Sequence, residues 1–120
     1  MRVFLIFVVM GWVLIGSIST SVSAQEPGSK KMIFGEGINS CGSWTQSQQT
    51  KSIYQGLSAQ WVAGFLSGMN MQADVPNFLS GTDFNGVMGW MNNYCSANPL
   101  TSIADAAVAL KDDLRSRVRN

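Results

Sequence analysis

Apolar residues recur at helical rather than strand spacing along most of this chain. The plainest case runs from about Leu57 to Met71, where Leu57, Trp61, Phe65 and Met69 repeat every fourth residue and Val62 and Leu66 widen the stripe. Ala59, Ala63, Gly64, Ser67 and Gly68 fill the positions between, which predicts that a neighbouring helix approaches closely there. Asp74-Val75-Pro76-Asn77 ends that segment, because proline removes a donor and disfavours helical geometry before it. After a loop through Ser80-Gly81, Thr82 or Asp83 offers an N-cap oxygen to a helix bearing Phe84, Val87, Met88, Met91 and Tyr94/Cys95. Asn98-Pro99 punctuates again, with asparagine expected as cap and proline as first-turn residue. The last helix is expected from about Pro99 or Ser102 to about Arg115, with Leu100, Ile103, Ala106, Ala107, Leu110 and Leu114 on one face. A further helix between Ser43 and Gln55 is suggested more loosely, since Ser, Thr and Gln dominate it. No segment alternates as a strand would. The expected fold class is all-α, a small single-domain bundle of about four helices.

The two ends differ from this body. Met1-Arg2 precedes a charge-free run from Val3 to Ile15, which as a helix reaches only about 20 to 24 Å, short of the ~30 Å hydrocarbon core. Val22-Ser23-Ala24 then supplies small side chains at both subsites of a signal peptidase. Residues 1–24 are therefore expected to be a cleaved signal peptide, with the mature protein exported to the periplasm and carrying no membrane anchor. Residues 25–42 read as a flexible arm rich in Gly, Ser, Pro and Lys; within it Gly35-Glu36-Gly37 is a linker, and Met32-Ile33-Phe34 is an apolar cluster that either pins the arm or meets a partner. The helical domain is placed at 43–116 and a tail at 117–120.

Charge narrows the function. Seven acids nearly balance eight bases, so no basic field draws nucleic acid. The bases lie at the ends, and from Ser52 to Leu110 the only charged residues are Asp74, Asp83 and Asp105. A body so poor in charge is either core or interface. Histidine is absent, which removes the commonest general base and zinc ligand. Asp74 and Asp83 flank one loop, but a turn and a helix cap account for them; Asp112 and Asp113 read as a solvated face beside Lys111 and Arg115. No catalytic, cofactor-binding or metal-binding residue is expected, nor any cofactor.

Cys41 and Cys95 are the only cysteines. In an exported chain they allow one intramolecular disulfide, the alternatives being a reactive thiol or an intermolecular bridge. The heavy aromatic and methionine content supplies core, or lines a dimer seam or an adaptable apolar site. Trp61, Phe65, Met69, Met88 and Met91 are the candidate protein-binding or dimer surface.

Cys41, then Trp61-Val62-Ala63-Gly64-Phe65-Leu66-Ser67-Gly68, then Tyr94-Cys95-Ser96-Ala97-Asn98-Pro99 leading into Ile103-Ala104-Asp105-Ala106, together resemble the HdeA/HdeB family of bacterial periplasmic proteins, from about Cys41 to Leu114. The resemblance implies a helical fold closed by a Cys41–Cys95 disulfide. It also implies a chaperone-like role in stress: dimers at neutral pH that lose structure in acid and expose apolar surface to unfolded clients. This chain departs from the pattern in having few charges between Ser52 and Leu110. It is also similar, with no diagnostic motif, to periplasmic immunity proteins that block type VI secretion amidases. The function expected is thus non-enzymatic protein binding, chaperone-like and acid-activated, or alternatively blockade of one specific secreted toxin. The expected partners are other proteins, a second copy of the chain among them.

Overall fold

The computed structural model describes residues 31–119. The expected signal peptide, the first residues of the arm and Asn120 at the end of the tail lie outside the described residues. Four α-helices follow a single 3-10 turn: the turn at Gly35–Ile38, α1 at Cys41–Thr50, α2 at Ile53–Asn70, α3 at Phe84–Ala97 and α4 at Ile103–Val118. The all-α bundle is what the apolar spacing predicts, and the two cysteines form the one intramolecular pairing open to them.

The helix boundaries follow from local chemistry. The single helix expected over Ser43–Gln55 is divided instead between α1 and the start of α2. Lys51 takes a left-handed conformation at φ 49° and its N–H bonds to the Ser47 carbonyl, which closes α1 and lets Ser52 open α2. Asp83 caps α3, its Oδ1 accepting from the Gly86 N–H at 2.8 Å. Ser102 caps α4: its Oγ accepts from the Asp105 N–H at 3.0 Å and donates to the Asp105 carboxylate at 2.8 Å. Arg115 and Arg117 occupy the last turn of α4, where the helix dipole favours cations. Pro99 and Leu100 belong to the turn before α4 rather than to the helix, so Leu100 is 97 % exposed instead of facing the core.

The segments that open α1 and α4 are zipped together. The Cys41 N–H donates to the Thr101 carbonyl, Gly42 to Pro99 and Ile103 to Asn39, at 2.7, 2.9 and 2.8 Å, forming one isolated antiparallel bridge at Ser40 and Ser102. The Cys41–Cys95 disulfide, with Cα atoms 4.6 Å apart, joins the same corner to the end of α3. One covalent and three hydrogen-bonded links therefore converge where three helices meet.

The core is built from Trp44 of α1, Val62 and Leu66 of α2, Met91 of α3, and Ile103, Ala106, Ala107 and Leu110 of α4, with Phe78 inserted from the α2–α3 loop. Trp44 is fully buried, and its indole N–H donates to Asn92 Oδ1 at 2.8 Å. The close helix approach expected at Gly64 and Gly68 does not occur: a Cβ at either position would meet nothing within 4 Å among the described residues. The buried row of α2 is Ser58, Ala59, Val62 and Leu66, and the glycines face outward.

Candidate functional site: an apolar face on helix α2

Helix α2 is apolar on two sides. One side is the buried row just given. The other is Ile53, Leu57, Trp61 and Phe65, spaced every fourth residue, of which Ile53 is 77 % and Leu57 48 % exposed. Trp61 and Phe65 are half-buried and stack on each other, with ring centroids 4.8 Å apart and planes inclined by 16°. The spacing alone does not separate the two rows, because both repeat at the helical period.

The arm completes this face. Residues 35–38 are not a free linker: they form the 3-10 turn, and it packs against α2 and α4. Gly35 has φ +79°, a conformation that side-chain-bearing residues rarely adopt. Gly37 is buried against Trp61 so closely that a Cβ would overlap the indole ring. The Trp61 indole N–H donates to the Phe34 carbonyl at 2.8 Å. Glu36 ties the same turn to α2, accepting at Oε2 from Ser58 Oγ at 2.9 Å and from Asn39 Nδ2 at 3.0 Å. A groove of about 450 Å³ results, lined by Met32, Ile33, Phe34, Trp61, Gly64 and Phe65. Phe34 and Met32, 80 % and 79 % exposed, form its outer lip.

The structure divides the five residues expected on the binding surface. Trp61 and Phe65 stand together in the groove. Met69 and Met88 are partly buried and pack against the core. Met91 is fully buried and is a core residue, on the same buried row of α3 as Val87 and Cys95. Phe34, Ile53 and Leu57 take its place on the exposed face; the apolar clusters around Phe34 and Ile53 were the available signal.

Other candidate chemistry falls into structural roles. Asp83 caps α3, and Asp113 accepts from the Trp90 indole N–H at 2.9 Å and pairs with Arg117 at 2.6 Å. Lys111 pairs with Asp112 at 3.0 Å. Both cysteines are in the disulfide. Among the described residues no three His, Cys, Asp or Glu side chains are grouped to hold a metal ion, and no helix is long and apolar enough to cross a membrane.

No family model, no curated protein and no solved structure matches this chain.

Proposed function

We propose that the protein is exported to the periplasm and acts there without catalysis, binding other proteins through the face made by α2 and the docked arm, in a chaperone-like role. The observation that carries this reading is the row of large apolar side chains Ile53, Leu57, Trp61 and Phe65 along α2 with the exposed Phe34 of the arm beside Trp61. Contiguous exposed apolar surface of this kind marks protein-interaction sites in soluble proteins. Aromatic anchors in a groove are the usual carriers of binding energy. The resemblance to the HdeA/HdeB family supports the same reading, and the Trp61 to Gly68 motif that carries it lies on this very helix.

A second reading is favoured by the face being open in the folded state. A protein that blocks one secreted toxin needs a preformed surface, whereas an acid-activated chaperone gains surface when it unfolds. One experiment separates them. The purified mature chain is taken from neutral to strongly acidic pH while tryptophan fluorescence, apolar-dye binding and the solubility of an acid-sensitive client are followed. Unfolding with client protection supports the chaperone role. A constant spectrum with tight one-to-one binding of a single toxin at neutral pH supports blockade. Neither protection nor any protein complex rejects protein binding altogether.

A further inference from the structure

We propose that a polar pocket beside the apolar face is a subsite for an arginine side chain of the bound protein. The inference rests on the protein-binding reading above and adds the chemistry of the partner. The pocket, about 300 Å³, lies between the arm, α1 and the start of α2, and its lining includes Glu36, Ser43, Ser47, Thr50, Tyr54 and Ser58. Its size suits one side chain rather than a large ligand.

The hydrogen bonds on its walls decide what fits. Ser58 Oγ gives its proton to Glu36, Ser47 Oγ to the Trp44 carbonyl at 2.8 Å, and Thr50 Oγ1 to the Gln46 carbonyl at 3.0 Å. Each of these hydroxyls has thus used its one donor and retains only acceptor capacity. Glu36 is held through Oε2 alone, by Ser58 and Asn39, and Oε1 receives no hydrogen bond from the described residues. No cation pairs with it there; the ion pairs among the described residues are Lys111–Asp112 and Arg117–Asp113. Ser47 and Ser58 are themselves 5 % and 2 % exposed, so the acceptors are fixed in the wall of the fold.

The lining also holds the Asn39 and Gln46 amides and the Ser43, Ser52 and Tyr54 hydroxyls, but its one charge is the Glu36 carboxylate, which together with the three spent hydroxyls favours a ligand with several donors and a positive charge. Guanidinium has five N–H donors, no acceptor and a permanent charge. Tyr54, 58 % exposed, is part of the lining, and an aromatic ring is a partner for a guanidinium. Because Glu36 lies in the same turn as Gly37, which packs on Trp61, an arginine bound here would sit next to apolar groups bound along Trp61 and Phe65. The partner segment that fits is one with an arginine flanked by large apolar residues.

The test uses Nα-acetyl-L-arginine amide as probe and Nα-acetyl-L-citrulline amide, nearly the same shape without the charge, as control, each titrated into the isotope-labelled mature protein at low salt. Saturable shifts in the amide resonances of Ser47, Tyr54 and Ser58 are expected with arginine amide, with citrulline amide at least about tenfold weaker. Glu36→Gln keeps an acceptor for Asn39 and Ser58, so the arm stays docked, yet it should weaken arginine amide by about tenfold or more. Asn93→Ala, exposed on α3 and outside the pocket lining, should bind the probe as the unchanged protein does. Equal binding of both amides, shifts without saturation, or indifference to Glu36→Gln overturns the proposal. Client or toxin binding that persists in Glu36→Gln, with no arginine response in either protein, would sink the pocket and leave the apolar face standing. A response to arginine amide in a chain that binds no protein would instead sink the protein-binding reading.

Discussion

The benzene ring of Trp61 occupies the space that a side chain at Gly37 would need, and the arm lies where it does because residue 37 has none. The contact fixes Phe34, Glu36 and Trp61 relative to one another, so the apolar groove and the polar pocket share one support.

Replacing Gly37 with alanine should therefore undock the arm while leaving the core intact. Overpacking of this kind costs about 1 to 3 kcal/mol, here charged to the arm's docking equilibrium. Faster hydrogen exchange at the Trp61 indole N–H and at the amides of residues 35–39, with unchanged exchange in α4, is the expected result. Gly64→Ala, on α2 with open space where its Cβ would stand, is the control.

That control should itself gain stability. Nothing among the described residues lies within 4 Å of a Cβ at Gly64 or Gly68, and neither glycine has positive φ. Alanine in an exposed helix interior is favoured over glycine by about 0.5 to 1 kcal/mol. Urea unfolding of Gly64→Ala and Gly68→Ala should show higher midpoints with an unchanged slope.

Among the described residues, Asn92 is the one hydrogen-bond partner of the buried Trp44 indole. Asn92→Ala leaves that donor without its acceptor and should cost about 1 to 3 kcal/mol. The neighbouring exposed Asn93, changed to alanine, should stay within about 0.5 kcal/mol of the unchanged protein. Chemical denaturation followed by tryptophan emission measures both.

The disulfide closes a chain separation of 54 residues. By chain entropy a loop of this length contributes about 4 kcal/mol, a large share of the net stability of so small a domain. Cys41→Ser/Cys95→Ser, or reduction, should lower the unfolding midpoint to near or below physiological temperature. Calorimetry with and without reductant reads this directly.

Much of this architecture was legible before any coordinates. The Asp83 cap, the Pro76 and Pro99 breaks, and the face of α4 made by Ile103, Ala106, Ala107, Leu110 and Leu114 follow from local rules and stand where those rules put them, whereas the cap of α4 is Ser102 rather than the expected Asn98. The candidate surface was read less well, for a physical reason. Helical period identifies an apolar row but not which of two rows faces inward, so Leu57, Trp61 and Phe65 could not be told from Val62 and Leu66. Met91 and Met88 are three residues apart on one helix, yet one is fully buried and the other only partly. Gly35-Glu36-Gly37 reads as a linker by composition. Its docking depends on Trp61, more than twenty residues away, which no local pattern reveals.

The central claim is that the exposed row of α2 and the lip of the arm bind protein. Phe34, Ile53 and Leu57 are largely outside the core, so Phe34→Ser/Ile53→Ser/Leu57→Ser should unfold close to the parent midpoint. The deciding measurement is light scattering from an aggregating acid-sensitive client, with parent and triple variant compared at equal concentration across neutral and acidic pH. The account predicts that the parent suppresses scattering and the folded variant does not. Equal suppression by both proteins would contradict it.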